Sequence, residues 1–281
     1  MLNARLHAQL MLTNGLVSYY PFNGNANDVV GTNNGTVHGA TLTTNRFGTP
    51  NSAYSFNGST SYIDCGSPSN LAFTNNFTFT AWLLFNGGGQ NPRAVDNGQG
   101  AGYQMYTGGT GTTRTFILAC GAEGISTSVS YSQKVWHSVV AVFQNGTGYI
   151  YVDGHLAASG ALPTPQPSDL RIGMNSQTTD PADHWGGCIN NVRFYNRVLS
   201  TNEIALLYQY ESTTPQLGTA FLALGINTTN LVVGGSYQIQ TSSNLVTWQN
   251  YGVPFVATST NATQYVSRTS SSGFFRILAV P

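Results

Sequence analysis

The chain is short of charge. Only 7% of its 281 residues are Asp, Glu, Lys or Arg, and the ten acidic and ten basic residues cancel to a formal net charge of zero. A surface with no basic excess has no electrostatic hold on a phosphate backbone or an anionic bilayer, so no nucleic-acid partner is expected. No apolar run is long enough to span a membrane, and no membrane insertion is expected. Cysteine is also scarce. Cys65, Cys120 and Cys188 permit at most one bridge within the chain and leave one thiol free, so no disulfide framework is built. Each sits in or beside an apolar run and reads as a small buried hydrophobe. No Cys-x-x-Cys or His-x-x-x-His spacing marks zinc, and no Gly-x-Ser-x-Gly elbow marks a serine hydrolase. No two acidic residues stand two apart, so no strand carries a carboxylate pair on one face, as glycosidic bond hydrolysis on a sheet needs.

What is present is material for strands. Hydrophobic residues make up 41% of the chain and aromatics 12%, in short runs separated by Gly, Ser, Thr and Asn. Trp136-His137-Ser138-Val139-Val140-Ala141-Val142-Phe143 and Gly148-Tyr149-Ile150-Tyr151-Val152-Asp153-Gly154-His155 predict two strands, with Asp153-Gly154 suited to a two-residue turn at positive φ. His137 reads as a residue of that strand and Asp153 as a turn residue; Asp64, just before Cys65-Gly66, reads as a turn or hydrogen-bonding residue. A helix is predicted over Thr201 to Tyr210, with Ser200 as N-cap and Glu203 three residues on. Ser212-Thr213-Thr214-Pro215 then breaks the pattern as a linker. Beyond it, strands are predicted at Ala220 to Leu224, Tyr237 to Thr241, Phe255 to Ser259, Gln264 to Arg268 and Phe274 to Leu278. Within that stretch, Tyr237 to Trp248 faintly resembles the Asp-box of sialidase propellers, with Asn244 in the place of the Asp.

Six blocks resemble, in order, the laminin-G-like domains of the concanavalin A-like lectin/glucanase superfamily. They are Gly15 to Asp28, Tyr54 to Gly58, Tyr62 to Gly66, Phe77 to Trp82, the Trp136 to His155 pair, and Leu170 to Gly173 with Gly187 to Ser200. The resemblance implies an all-β fold: a jelly-roll sandwich over residues 13–211, followed by a small β-sandwich-like module over 212–281 of a kind appended to secreted bacterial proteins. Residues 1–12 read as a leader remnant or cloning tail. Met1 to Leu10 lacks a sustained apolar core, but Leu6-His7-Ala8 before Gln9 is similar to the end of a cleavage site. Secretion or display at the cell surface is the expectation.

A sugar needs an aromatic face and hydrogen-bonding groups for its hydroxyls. Two polar loops supply them: Asn86 to Gly102 leading into the Tyr103 strand, and Asn175 to Trp185. The candidate ligand-binding residues are Arg93, Asp96, Tyr103, Tyr106, Asp180, Asp183, His184 and Trp185, with a core anchor as the alternative for Trp185. The oxygen-rich run Asn23 to Gly35 suits calcium, which takes six to eight hard oxygen ligands. In relatives such a loop joins an acidic residue of the closing strand, and here Asn190 and Asn191 stand in that place. The resemblance therefore implies a structural Ca2+ held by Asn25, Asp28, Asn33 and Asn190, or a hydrogen-bonded substitute for it.

The expected function is lectin-like or adhesive binding of an extracellular glycan or glycoprotein, without catalysis. A polysaccharide lyase or glycoside hydrolase on the same sandwich is the alternative, with Arg93, Tyr103, Gln104, Tyr106 and His184 as the lyase's groups. A structural domain of a larger surface protein is the third reading.

Overall fold

The computed structural model describes residues 12–98, 101–109, 111–176, 183–213, 222–268 and 274–280. Most of the expected leader remnant, residues 1–11, lies outside these, as do Thr214 and Pro215 of the expected linker. The chain divides into two compact units, Met1–Thr214 and Pro215–Pro281.

The first unit is a sandwich of two eight-stranded antiparallel sheets. One sheet runs β14 (His155–Ala161), β13 (Thr147–Val152), β12 (His137–Gln144), β6 (Phe77–Gly88), β16 (Trp185–Tyr195), β4 (Ala53–Asn57) and β3 (Thr41–Thr43), with β1 (Leu16–Tyr20) also paired to β16. The other runs β10 (Glu123–Ser126), β9 (Thr113–Cys120), β8 (Tyr103–Gly108), β7 (Arg93–Asn97), β15 (Leu170–Ile172), β5 (Tyr62–Asp64) and β2 (Thr36–His38), with β11 (Tyr131–Ser132) paired to β9.

Strand alternation accounts for the layering. In β6, Phe77, Phe79, Ala81, Leu83 and Phe85 all enter the core between the sheets, because every second side chain of a strand shares a face. Aromatic rings fill much of that core: Phe77 stacks on Phe73, Phe79 and Phe143, and Phe79 stacks on Phe194. The intervening Thr78, Thr80 and Trp82 point outward; Trp82 bonds to Glu211 of the helix α1 (Thr201–Ser212), and Thr78 to the backbone of Arg197 and Leu199 just before it. Its capping box is complete, Ser200 and Glu203 each satisfying the other's backbone N–H. Ile204 and Leu207 pack with Val140, Val142 and Tyr195 into a second apolar cluster on this outer face.

Asp153 and Gly154 sit at φ 51° and 82°, the two left-handed positions of the tight turn between β13 and β14. A second dipeptide does the same work one strand earlier. Asn145 and Gly146, at φ 47° and 80°, close the hairpin of β12 and β13. The three cysteines are free; Cys65 and Cys120 are buried, and burial pushes both thiols up to about 12.

The second unit has a two-stranded sheet, β17 (Leu222–Thr228) with β20 (Ala262–Arg268), and a three-stranded sheet ordered β19 (Gln249–Val256), β18 (Ser236–Ser242), β21 (Phe274–Val280). The third predicted strand, Phe255 to Ser259, is displaced: β19 occupies Gln249–Val256 instead. The cause is the turn at Asn244, whose Oδ1 accepts from the backbone of Val246 and Thr247 and brings the chain back early to pair with β18. Asn244 is thus a turn residue of this module.

Candidate functional site

Helix α1 packs on the outer face of the first sheet, while the outer face of the second carries polar side chains. In β7, β8 and β15, Val95, Met105 and Ile172 face the core, so their neighbours Asp96, Gln104 and Arg171 face away from it. Register then aligns residues from all seven strands of the main path. Thr36 is opposite Asp64, Asp64 opposite Arg171, Arg171 opposite Asp96, Asp96 opposite Gln104, Gln104 opposite Ala119 and Ala119 opposite Gly124. One row thus carries a carboxylate, a guanidinium, a second carboxylate and an amide, and it ends in small residues. Tyr106 and Arg93 form a neighbouring pair in register on the same face.

The middle of the row is covered. Asp96 has no exposed surface and Gln104 is 2% exposed. The backbone N–H of Gly98 donates to the Ser176 hydroxyl at 3.2 Å, and that hydroxyl donates to Asp96 Oδ1 at 2.7 Å. Asp96 Oδ2 has no hydrogen-bond partner and lies 3.7 Å from Nε of Arg93, which is likewise unpartnered. Arg93 places its guanidinium 3.9 Å from the centre of the Tyr106 ring and donates from Nη1 to the Asn91 carbonyl at 2.7 Å. Burial drives the Asp96 carboxyl up to about 6, against the Ser176 hydrogen bond and the Arg93 charge, which pull it down. Burial likewise raises the Tyr106 phenol, with Arg93 opposing.

Of the ligand-binding candidates, the fold brings Arg93, Asp96, Tyr106 and His184 together: His184 bridges to the backbone of Arg93 and is 3% exposed. Asp183 is half-buried and accepts from Asn175 Nδ2 at 2.9 Å. Asp180 lies outside the described residues. Two candidates belong to the core. Tyr103 is fully buried among Phe73, Phe77 and Phe79; its hydroxyl donates to the Leu71 carbonyl at 2.8 Å and accepts from Asn97 at 2.7 Å. Trp185, also fully buried, is part of the same core cluster. Their neighbours in the chain turn to the other face; adjacency in sequence misplaced Tyr103, while Trp185 takes the core position that was its alternative. Asp64 is the hydrogen-bonding turn residue expected, accepting from the N–H of Gly66, but its place in the row, like those of Tyr62, Arg171 and His38, was missed for the converse reason. The alternation of β5 and β15 was legible, but nothing local says that these strands lie beside Asp96.

The proposed calcium ligands do not fit a cation. Asp28 Oδ1 accepts from the backbone N–H groups of Tyr19, Val30 and Gly31 at 2.9, 3.1 and 2.9 Å. Its Oδ2 accepts from the Ser18 hydroxyl at 2.8 Å and from the side chain of Asn33 at 3.3 Å. Burial alone would raise this carboxyl; the hydrogen bonds from Gly31, Tyr19 and Ser18 outweigh it and hold the group below its ordinary range. A ring of N–H and O–H donors presents positive ends where calcium needs oxygens. Asn33 turns its amide nitrogen inward, and Asn25 Oδ1 is taken by the N–H of Asn27. Asn190 donates to the carbonyls of Pro21 and Ser52 and accepts from the Arg46 guanidinium, a cation already in place. Asp28 is therefore the hydrogen-bonded organiser of its own loop. Gly31 belongs to the same device, since a Cβ there would lie 2.6 Å from Asp28 Oδ2.

No curated protein matches the sequence. Solved structures match its fold. Domain 4 of AbnA, a GH43 extracellular arabinanase from Geobacillus stearothermophilus, in complex with arabinotriose, superposes with a TM-score of 0.55 at 16% identity, covering 69% of this chain and 98% of that one. A mutant Trypanosoma rangeli sialidase displaying trans-sialidase activity gives 0.55 at 21% identity, over 71% of this chain but only 33% of the sialidase. The binding domain of Paraclostridial Mosquitocidal Protein 1 gives 0.57 at 15% identity, over 86% of this chain and 63% of that domain. At these identities the likeness is one of fold. Sequence adds descent: residues 57–205, more than half of the chain, match the family described as the concanavalin A-like lectin/glucanases superfamily, and they contain both long central strands of the sandwich and most of the polar row. The two-sheet sandwich and this match agree, and the chain belongs to that superfamily.

Proposed function

We infer that the first unit is a carbohydrate-recognition domain that binds an extracellular glycan, without cleaving it, through the outer face of its second sheet. The open end of the aligned row, Asp64 and Arg171, backed by the buried Asp96 and Gln104, is the observation that carries this reading. The partly exposed carboxylate and guanidinium of Asp64 and Arg171 suit the hydroxyls of a saccharide, and Tyr62 and Tyr106 border the row as half-buried aromatics. A fold-level parallel comes from domain 4 of AbnA, described in complex with arabinotriose. Catalysis is the weaker reading. The two carboxylates of the row flank the strand that bears Arg171, and Asp96 has no surface for a substrate to reach. Secretion follows as part of the same proposal, as does a role for the second unit in attachment.

Affinity electrophoresis through gels containing neutral and carboxylated polysaccharides tests the reading. Retardation is expected on at least one glycan, with retardation by that glycan lost on replacing Tyr106 or Tyr62 with Ala. Oligosaccharide release during the run, or free migration of the folded protein through every gel, would overturn it.

A further inference from the structure

The open end of the row, where β15, β5 and β2 meet, holds an arginine unlike the others. Arg46, Arg93, Arg114, Arg193, Arg197 and Arg276 each donate to at least one oxygen within hydrogen-bond distance. Arg171, among the arginines whose side chains are described, alone does not. Its Nη1 meets only the thioether of Met174 at 3.6 Å, a weak acceptor. Its Nη2 lies 3.7 Å from Asp64 Oδ2, beyond a hydrogen bond, and its Nε has no partner. Asp64 does not swing closer because its Oδ1 is held by the backbone N–H of Gly66 at 2.8 Å.

The guanidinium also lies against an aromatic pair. It lies 5.1 Å from the centre of the Tyr62 ring, and on the neighbouring edge strand the imidazole of His38 stacks on Tyr62 at 4.4 Å and 11°. Strand order puts His38 and Arg171 on opposite sides of Tyr62, so the three planar groups form a sandwich. Its outer member, His38, is exposed, and so is Thr36 beside Asp64. The Arg171 side chain keeps 23% of its surface in solvent. A planar fork with unmet donors, bordered by a ring and a hydroxyl, is complementary to a carboxylate carried on a sugar ring.

We propose that Arg171, with His38 and Tyr62, forms a subsite for the carboxylate of a uronosyl residue in the bound glycan. The carboxylate docks on the fork of Arg171, and the exposed ring of His38 and the Thr36 hydroxyl contact the sugar. Asp64 tempers the site: it holds one flank of the guanidinium loosely and repels the incoming charge. The proposal rests on the glycan-binding reading above and narrows its ligand class.

The test is calorimetric titration with galacturonate oligomers and with the same oligomers fully methyl-esterified, which keep the rings and remove the charge. The acid is expected to bind at least tenfold more tightly than the ester. Arg171→Gln abolishes that preference, and Asp64→Asn widens it severalfold in favour of the acid. Melting curves show that each variant is folded, and the Asp64 variant reports on the site even if Arg171→Gln is unstable. Equal binding of acid and ester, a preference that survives Arg171→Gln, or no wider preference in Asp64→Asn would each overturn the subsite. If other glycans still retard the protein, only the subsite falls; if none does, the glycan-binding reading falls with it.

Discussion

Two buried aspartates show how residue environment sets the sign of a pH effect. Asp28 is encircled by donors that favour its charged form, so its carboxyl is held low in the fold. The stability it contributes is complete above the pKa of an unfolded Asp, about 3.9, and is lost as pH falls through the lower folded value. Asp28→Asn is expected to cost about 2–4 kcal/mol at pH 7, because one carboxamide cannot accept from all of those backbone groups. Urea denaturation at pH 7 and pH 3 checks this; the cost must shrink at pH 3. Since these donors exclude a cation, a chelator is expected to leave the melting temperature of the unmodified protein unchanged.

Asp96 behaves in the opposite sense. Burial raises its carboxyl to about 6, so its contribution is fully present below the unfolded pKa of about 3.9 and is lost as pH rises through about 6. Asp96→Asn, which cannot ionise, is expected to gain in melting temperature relative to the unmodified protein between pH 4 and pH 7. A difference independent of pH would show that Arg93 and Ser176 compensate the buried charge in full.

At the scale of elements, one carboxylate docks the helix. Glu211, 4% exposed near the end of α1, accepts from Trp82 Nε1 at 2.8 Å, from Asn191 Nδ2 at 2.9 Å and from the guanidinium of Arg193. Its backbone carbonyl accepts from both Nε and Nη2 of Arg46 at 2.8 and 2.7 Å, and the Arg46 guanidinium lies 4.2 Å from the centre of the Trp82 ring. The partners come from β6, β16 and the segment after β3, so the network fastens a helix end to two strands at once. Glu211→Ala leaves Arg193 charged and buried without its counter-ion, at an expected cost of about 3–5 kcal/mol. Equilibrium unfolding followed by tryptophan fluorescence measures it, with Trp82 reporting on the loss directly. The helix itself was legible in sequence, from Ser200, Glu203 and the spacing of Ile204 and Leu207. Its anchor was not: Glu211 reads locally as one more polar residue after the last turn.

For the whole molecule, the division at Thr214 and Pro215 suggests two units that fold separately. A chain ending at Thr214 is expected to unfold in one cooperative transition, at the midpoint that unit shows in the full chain. Differential scanning calorimetry of both proteins decides the point, and a lowered midpoint in the short chain would mean that the second unit stabilises the first. The first unit's design follows from its two outer faces. One carries α1 and the Glu211 network; the other carries the polar row.

The amino-acid sequence by itself determined the all-β class, the alternation that sends Phe77, Phe79 and Leu83 inward, the Asp153-Gly154 turn and the capped helix. These depend on periods of two and 3.6 residues and on side-chain bonds to nearby backbone, all local properties of the chain. Only the tertiary structure decided that Asp64, Arg171, Asp96 and Gln104 form one row, because register between strands far apart in sequence is set by packing of the whole core. The same reason separates Tyr106 from Tyr103 and moves Trp185 from the site into the core. It also turns Asp28 from a metal ligand into an acceptor of its own loop's N–H groups, since that depends on which way backbone donors point once the loop has closed.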